Sequence, residues 1–382
     1  MNRTSKAGIY IHIPFCQAKC GYCDFYSITD LNLRPGFVRA LVQEIAAYAR
    51  RPEFQTEYDS IYIGGGTPSL LAIKEIEDIL TRVRESFTFH PDTEITIEVN
   101  PGTLGIDKLK ELKRLGINRL SVGVQSFIEA ELKLLDRIHT VKQAESLLHQ
   151  AKETGFDEIN LDLIFAMPGQ TLANWEFSLQ HAVAFQPEHV SAYNLIVEEG
   201  TPFYIRQQNH ELVFYKPEQE ADFFMLTEKI LNASGFIHYE ISNYARSAEH
   251  LSRHNVKYWQ HIPYLSFGPS AHSFWPYRRW QNIKSVSDYL HLVSQNKSAV
   301  VFQENLTAEQ IFDEYILLNL RTYQGIDLEQ FYTIFKQDFE NQFKRQIEML
   351  TRKNLAVLTQ GQFKLTGKGM MLCDEILPQF TN

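Results

Sequence analysis

Three cysteines in one short stretch are the residues of this chain best suited to chemistry. Cys16, Cys20 and Cys23 follow an apolar run at residues 9–13 and have the spacing C-x3-C-x2-C. Cysteine thiolates are the usual protein ligands of iron–sulfur clusters. A [4Fe–4S] cluster has four irons, and the remaining cysteine of the chain, Cys373, lies far away in the sequence. One iron would therefore stay open to bind another molecule.

Two simpler interpretations of the cysteines are a structural zinc site and a redox-active thiol pair. Structural zinc sites usually have four protein ligands, so three cysteines are one short of that number. A C-x-x-C pair alone is weak evidence for redox chemistry. We therefore interpret Cys16, Cys20 and Cys23 as the ligands of a cluster.

The segments that must position the cysteines alternate between short strands and helices. With the strand at 9–13, six strands are predicted, the others at 60–63, 94–99, 119–124, 158–165 and 190–195. Helices are predicted between them, for example at 70–87 and 172–185. This alternation predicts parallel βα units and an α/β fold. Six units are fewer than the eight of a full barrel, so we predict a partial (βα)6 barrel with its active groups just after the strand ends.

The length of 382 residues indicates more than one structural unit. We predict a barrel with the cluster loop at residues 1–240, a connecting region at 241–304 and a C-terminal module at 305–382. In that module, helical patterns precede two short strands near 355–365, which is typical of a winged helix.

Charge argues against nucleic acid as a partner. The formal net charge is −9, and from residue 306 onward 8 Lys and Arg stand against 10 Asp and Glu. A DNA-binding module needs a basic face. The sequence has no apolar run long enough to span a membrane, and the polar residues 1–7 do not resemble a signal peptide. Clustered free cysteines suit a reducing compartment, so we expect a cytoplasmic protein.

Several predicted strands end at a polar or glycine-rich segment. Residues 64–68 read Gly-Gly-Gly-Thr-Pro, and Glu98, Gln125 and Asp162 lie at or near the ends of the next three strands. Glycines let the backbone approach a ligand and leave N–H groups that can face a carboxylate. Each polar residue is either a ligand contact or a hydrogen-bonded core residue. Arg137, taken alone, is more typical of a solvated helix.

These motifs together resemble the radical S-adenosylmethionine (SAM) superfamily, and within it the oxygen-independent coproporphyrinogen III oxidase family, which includes heme chaperones. The resemblance covers nearly the whole chain. It implies a [4Fe–4S] cluster whose open iron binds SAM and reduces it to a 5′-deoxyadenosyl radical. The positions that match SAM-binding residues of the family are Tyr10, Tyr22, Gly65, Gly66, Thr67, Glu98, Gln125, Arg137 and Asp162.

Two departures distinguish the branches of this family. The oxidases carry a fourth cysteine two residues after the third, where this chain has Phe25, and they have a longer N-terminal extension. Residues 254–259, His-Asn-Val-Lys-Tyr-Trp, match the H-N-x-x-Y-W motif of the chaperones. By this resemblance, His254 is a candidate axial ligand of heme iron, although most histidines are ordinary surface or core residues.

The resemblance therefore implies a heme chaperone that passes heme to acceptor hemoproteins, possible examples being respiratory-chain proteins at the membrane. An electron donor such as a flavodoxin would reduce the cluster. The alternative function is oxidative decarboxylation of coproporphyrinogen III, to which the SAM-binding positions are equally suited. Whether the chain is an enzyme stays open, and we expect no coproporphyrinogen oxidase activity.

Overall fold

A computed structural model describes residues 6–381 of the chain. The polar N-terminal residues 1–5, which entered the expectation about a signal peptide, lie outside the described residues. Six parallel strands form the centre of the main sheet: β1 (Ala7–Ile13), β2 (Glu57–Gly65), β3 (Thr88–Val99), β4 (Arg119–Gln125), β5 (Glu158–Phe165) and β6 (His189–Asn194). They pair in sequence order, each parallel to the next.

Helices follow the six parallel strands and cover the outer face of the sheet, whereas the later helix Arg253–Trp259 packs on the lumen face. Those of the barrel and of the region after it are α1 (Arg34–Tyr48), α2 (Ile73–Ser86), α3 (Ile106–Arg114), α4 (Glu129–Leu134), α5 (Val141–Glu153), α6 (Leu172–Ala184), α7 (Pro202–Gln208), α8 (Pro217–Ala233), α9 (Arg253–Trp259) and α10 (Val286–Ser294). The predicted partial (βα)6 barrel is confirmed.

Alternation along each strand separates an apolar outer face from a polar lumen. In β1, Ile9, Ile11 and Ile13 are fully buried against the helices, whereas Tyr10 and His12 point to the other side. Successive strand residues point to opposite faces, so one strand contributes to both environments. The lumen therefore collects polar side chains from neighbouring strands at matching heights.

The sheet continues beyond the six parallel strands at both edges. Its further strands are β7 (Ile237–Glu240), β8 (Asn243–Ala245), β9 (Tyr264–Phe267), β10 (His272–Trp275), β11 (Arg278–Asn282) and β12 (Val300–Asn305). The full order is β12-β11-β10-β9-β1-β2-β3-β4-β5-β6-β8-β7. Residues 241–304, predicted as a connecting region, thus supply strands to the main sheet, and the three domain boundaries stay a prediction.

The C-terminal module has its own apolar core of aromatic and aliphatic side chains. Its elements are α11 (Ala308–Leu320), β13 (Ile326–Asp327), α12 (Leu328–Phe335), α13 (Phe339–Gln342), α14 (Lys344–Arg352), β14 (Ala356–Thr359), β15 (Gln362–Leu365), α15 (Gly367–Met371) and α16 (Cys373–Ile376). The predicted wing is the antiparallel pair β14–β15, to which β13 adds a short third strand. Among residues 6–381, no helix is long and apolar enough to cross a membrane.

Candidate radical SAM site

The cysteine loop leaves the carboxyl end of β1 and is anchored by backbone hydrogen bonds. The Cys16 N–H donates to the carbonyl of Ile28 at 2.9 Å, and the Cys23 N–H donates to the carbonyl of Cys20 at 3.2 Å. Cys16 is buried, whereas Cys20 and Cys23 are partly exposed, and all three are free thiols. Burial raises the pKa of the Cys23 thiol. The loop therefore presents three sulfurs around one end of the barrel.

A chain of polar side chains connects two of these sulfurs across the ends of neighbouring strands. The Thr67 hydroxyl donates to Cys16 Sγ at 3.5 Å, and Asn100 Nδ2 donates to Thr67 Oγ1 at 3.0 Å. Arg137 donates from Nη2 to Asn100 Oδ1 at 2.7 Å and from Nη1 to Cys20 Sγ at 3.6 Å. Donors and positive charge near a cysteine favour its thiolate, which is the form that binds metal. Thr67 and Arg137 therefore belong to the surroundings of the cysteines.

The donor set fits an iron–sulfur cluster better than a single metal ion. Within residues 6–381, no three His, Cys, Asp or Glu side chains converge closely enough to hold one ion. Three thiolates are one fewer than a structural zinc site usually has, whereas they can ligate three of the four irons of a cluster. Hydrogen bonds to Cys16 Sγ and Cys20 Sγ are of the kind that tune such clusters.

Tyr22 lies inside the loop and packs against the helix that follows the sixth strand. Its ring meets Phe203 edge-on, with 6.2 Å between ring centroids. The Phe203 N–H donates to the carbonyl of Gly21 at 2.9 Å. A side chain on Gly21 would collide with Phe203 and Asp136. Tyr22 therefore holds the loop close to the barrel.

The glycine-rich turn after β2 is bonded within the protein. The Gly66 N–H donates to the carbonyl of Ile13 at 2.8 Å, and the Thr67 N–H donates to the carbonyl of Phe15 at 2.7 Å. A Cβ on Gly66 would lie 2.6 Å from the Phe15 oxygen, so only glycine permits this approach. These two N–H groups are therefore bonded within the protein, and the Gly65 N–H of the same turn faces the carboxylate of Glu98. The turn fixes the start of the cysteine loop.

Glu98 and Asp162 point into the lumen from the third and fifth strands. Glu98 accepts hydrogen bonds from the Tyr62 hydroxyl at 2.9 Å and from the Gly65 N–H at 3.0 Å. Asp162 accepts hydrogen bonds from the Ser121 hydroxyl at 2.9 Å and from Asn160 Nδ2. These four donors are neutral.

The electrostatics of the two carboxyl groups follow from their burial. Burial, followed by the neighbouring charge of Asp162, raises the pKa of Glu98 to about 7. Burial also raises the pKa of Asp162. A positive charge placed between two such groups would lower both pKa values and gain favourable interactions. This part of the lumen is thus suited to a cationic ligand.

Gln125 and Arg137 meet above a glycine of the fourth strand. Gln125 ends β4 in the left-handed region with φ of 67°, which is uncommon for a residue other than glycine. A Cβ on Gly123 would collide with Asn100 Oδ1 at 2.6 Å. It would also lie close to Gln125 Nε2 at 3.1 Å and to Arg137 Nη2 at 3.2 Å. Arg137 also donates to the Gly123 carbonyl at 3.0 Å. The absence of a side chain at Gly123 therefore lets three polar groups converge.

Tyr10 lies deeper in the lumen, next to the strand-end groups. Its hydroxyl is 3.2 Å from His12 Nδ1, and its ring stacks on Tyr62 with a centroid distance of 6.1 Å. His12 Nε2 bonds to the carbonyl of Tyr26 at 3.0 Å, and burial lowers the pKa of His12 to about 4. Sequence patterns did not single out Tyr62 or His12.

The structure does not support His254 as an accessible heme ligand. This residue is 1% exposed, with Nδ1 at 3.1 Å from the Ser60 hydroxyl and Nε2 at 2.9 Å from the Tyr258 hydroxyl. Burial lowers its pKa to about 3. An axial ligand needs a ring nitrogen directed at the iron, and both nitrogens of His254 are engaged inside the protein. The motif match drew attention to His254 but gave no indication that this side chain is buried.

The positions of the remaining candidates agree with one site at the carboxyl ends of the strands. Sequence patterns did not identify Asn100 as a site residue, because it lies in a loop directly before a proline. In the structure it bridges Thr67 and Arg137. Ser121 and Asn160 were overlooked in the strands, where their inward position in the alternation could have identified them. The bond between Asn160 Nδ2 and Ser121 Oγ measures 2.9 Å.

Comparison with known proteins identifies the family of the chain. The model of the radical SAM superfamily matches residues 10–182, and that of the HemN C-terminal domain matches residues 306–372. The heme chaperone HemW of Bacillus subtilis (strain 168) is 34% identical over 377 residues, covering 97% of this chain and 98% of that protein. HemW of Lactococcus lactis (strain IL1403) is 32% identical, covering 97% and 96%.

A solved structure extends the comparison to the fold. Coproporphyrinogen III oxidase (HemN) from Escherichia coli, a radical SAM enzyme, aligns with a TM-score of 0.85 at 26% identity, covering 99% of this chain and 90% of that one. Membership of the radical SAM superfamily implies a [4Fe–4S] cluster and SAM as cofactors. By its similarity to the proteins of Bacillus and Lactococcus along almost its entire length, the chain belongs to the family of the heme chaperone HemW.

Proposed function

We propose that this protein is a heme chaperone that binds heme and passes it to acceptor hemoproteins. The observation that carries the proposal is its similarity, over 97% of its length, to a protein named as a heme chaperone. Phe25 also supports the proposal, because this residue stands where the related oxidases have a fourth cysteine. Phe25 is 67% exposed. We expect the acceptors to include respiratory-chain hemoproteins.

In this proposal, Cys16, Cys20 and Cys23 hold the cluster, and the strand ends hold SAM. When bound, the cluster supplies an electron to SAM, with a flavodoxin-like protein of the cytoplasm as the proposed donor. Arg137 and Thr67 hold Cys20 and Cys16 in position through their hydrogen bonds to the two sulfurs.

The lumen residues then bind and orient SAM. Glu98 and Asp162 would receive its cationic and hydroxyl groups, because both are buried carboxyl groups whose present donors are neutral. Gln125 would contribute an amide from the end of β4, close to Arg137. Tyr10 would close the lower side of this space.

The alternative function is the oxidase reaction, and the similarity to the Escherichia coli enzyme favours it. In that reaction two propionate groups of coproporphyrinogen III become vinyl groups with loss of carbon dioxide. The same cluster and SAM residues would serve both functions. A direct comparison of the two porphyrin ligands is therefore required.

The test is made anaerobically on the reconstituted full chain with reduced cluster and SAM. One sample receives coproporphyrinogen III and the other receives heme. We expect stable heme binding, measured by its visible spectrum, and no protoporphyrinogen, measured by chromatography after oxidation. Formation of protoporphyrinogen at catalytic turnover would show that the chain is the oxidase. Failure to bind heme would contradict the chaperone proposal.

A further inference from the structure

A cavity of about 550 Å³ lies on the same face of the sheet as the barrel lumen, but beyond β1. Strands β9–β12 form its floor, and α9 together with α11 of the C-terminal module forms adjoining walls. Its volume lies within the roughly 300–1,000 Å³ of sites for cofactor-sized ligands. The cavity is separate from the cysteine loop and has no role in the SAM site described above.

Aromatic and aliphatic side chains form about half of the lining of this cavity, and polar or charged side chains form the rest. Phe274 stands opposite Tyr264 across the strand pair, and Tyr258 meets Tyr264 edge-on with 4.7 Å between ring centroids. Phe302 and Leu317 complete the lining from β12 and α11. Flat aromatic surfaces and aliphatic side chains are suited to packing against a large, planar, apolar ring system.

One histidine enters this apolar space without an intramolecular partner. His272 lies on β10 two residues before Phe274, so both side chains project from the same face of the strand into the cavity. It is exposed, and among residues 6–381 no hydrogen bond holds its ring nitrogens. Partial loss of solvent around the ring, followed by the charges of Lys284 and Arg279, lowers the pKa of His272. A neutral imidazole with a free nitrogen is the form that binds iron.

The second histidine of the cavity is less suited to this role. His261 Nε2 is 2.9 Å from Glu314 Oε2, and its ring stacks on Phe274 with a centroid distance of 4.8 Å. Glu314 also accepts a bond from Arg279 at 2.7 Å, and Arg279 contacts Glu304. These groups form a polar rim whose charges are paired.

We propose that this cavity binds the iron porphyrin and that His272 is the axial ligand of the iron. The proposal deepens the proposed chaperone function and rests on it. The porphyrin ring would pack against the aromatic side chains of the strands and against Leu317 of α11, all of which line the cavity. Formal charges of the lining cancel, Lys257 and Arg279 standing against Glu304 and Glu314. The porphyrin carboxylates therefore lie at the opening, in water.

The same geometry gives the H-N-x-x-Y-W segment a positioning role. Tyr258 lines the cavity, and its hydroxyl bonds to His254 Nε2. His254 is fixed in turn by Ser60 from β2. The histidine of the motif therefore holds an aromatic wall residue in place and does not contact the iron.

The test is a heme titration of the full chain, with the absorption spectrum and the dissociation constant as readouts. His272→Ala is expected to abolish the spectrum of histidine-ligated iron. Its dissociation constant should rise by roughly 10- to 100-fold, the range seen when the surroundings of metal-binding histidines are changed. Added imidazole should restore the spectrum, because it occupies the vacated space, and this rescue shows that the variant is folded. The matched control is His291→Ala, an exposed histidine of α10 outside the cavity.

A second variant tests the cavity without changing the ligand. Leu317→Trp narrows the space from α11 and should weaken heme binding while leaving a histidine-type spectrum for the heme that binds. If His272→Ala and Leu317→Trp both bind heme with the spectrum and affinity of the unchanged protein, the cavity assignment is wrong although the chaperone function stands. If the unchanged protein binds no heme, the proposed function and this assignment both fail.

Discussion

The barrel lumen has two polar ends that differ in how their charges are balanced. At the amino ends of the strands, Arg119 is 2% exposed and lies 3.7 Å from Glu94 and 3.0 Å from Glu158. At the carboxyl ends, Glu98 and Asp162 are buried with neutral donors. The first set has a cation in direct contact with its carboxylates, whereas in the second set the hydrogen-bond donors are neutral and the charge of Arg137 acts on Asp162 from a distance.

This difference separates residues that maintain the fold from residues that we propose bind a ligand. Buried charges persist when they are paired and hydrogen-bonded, and Arg119 has carboxylates of the protein itself as partners. Carboxyl groups with raised pKa values at the carboxyl ends of strands are typical of functional sites. The Arg119 group thus closes the barrel floor, and the Glu98 group faces the cysteine loop.

The largest expected effect is at the carboxyl ends, on the cluster itself. Replacing Cys16, Cys20 or Cys23 with Ala should abolish the visible absorbance of the iron–sulfur centre and most of its iron, because each supplies one ligand. Iron and sulfide content after anaerobic reconstitution measure this loss. Retention of both in any of the three variants would remove that cysteine from the ligand set.

The matched control for these variants is Cys373→Ser. Cys373 is buried in the core of the C-terminal module, with its thiol directed at the carbonyl of Leu320. The Cys373→Ser variant should keep the iron content of the unchanged protein, whatever the effect of the substitution on stability. A loss of iron would indicate a fourth cysteine ligand and no open iron for SAM.

The next largest effect is expected at the amino ends, on stability. Arg119→Met removes the cation between Glu94 and Glu158 while keeping much of the volume. Breaking a buried ion pair in this way costs about 3–5 kcal/mol of the free energy of unfolding. Chemical denaturation measures it, and Lys74→Met at an exposed ion pair, expected to show no measurable change, is the control. A small loss at Arg119 would mean that the two ends of the lumen do not differ as described.

Glu98→Gln should show the opposite behaviour, with binding affected more than stability. The amide keeps the shape of the side chain but cannot pair with a cation. We expect the affinity for SAM to fall by roughly 2 kcal/mol or more, about 30-fold, since a buried charge partner is lost. Isothermal titration measures the affinity, and Glu85→Gln on the exposed side of α2 is the control. Unchanged SAM affinity would exclude Glu98 as a contact.

The smallest expected effect is on the pH dependence of stability. The pKa of Glu98 is about 7 in the folded, ligand-free chain and close to 4.5 when unfolded, so folding favours the protonated group. The free energy of unfolding should therefore decrease as pH rises from about 4.5 to about 7, and level off above that. Glu98→Gln should have a shallower decrease in this window. Identical slopes would show that Glu98 titrates normally.

The sequence predicted the barrel because its signal is repeated and local. Each parallel strand has apolar residues on the outer face, and a helix follows it, as with β1 and its three isoleucines. The polar residues at strand ends were found for the same reason: Glu98, Gln125 and Asp162 interrupt apolar runs. A residue such as Asn100, which acts by connecting Thr67 to Arg137, has no local signal.

The strands β9–β12 were not predicted, and the reason is physical. They are four to six residues long and have charged or polar residues on the face toward the cavity, as in β11 (Arg278–Asn282). These strands are held in the sheet by the pairing of β9 with β1 and by packing on α1, where Trp280 Nε1 donates to the Tyr48 hydroxyl. The burial of His254 likewise depends on contacts distant in sequence. Such contacts are not visible in local patterns.

Heme transfer tests the chaperone account most directly. The heme-loaded chain is mixed with an apoprotein of a b-type cytochrome and, separately, with excess apomyoglobin as a passive trap, and the heme spectra are followed in time. Direct transfer predicts a rate that rises with cytochrome concentration and exceeds release to the trap. Equal rates, independent of acceptor concentration, would mean that heme merely dissociates, and would contradict the claim that this protein delivers it.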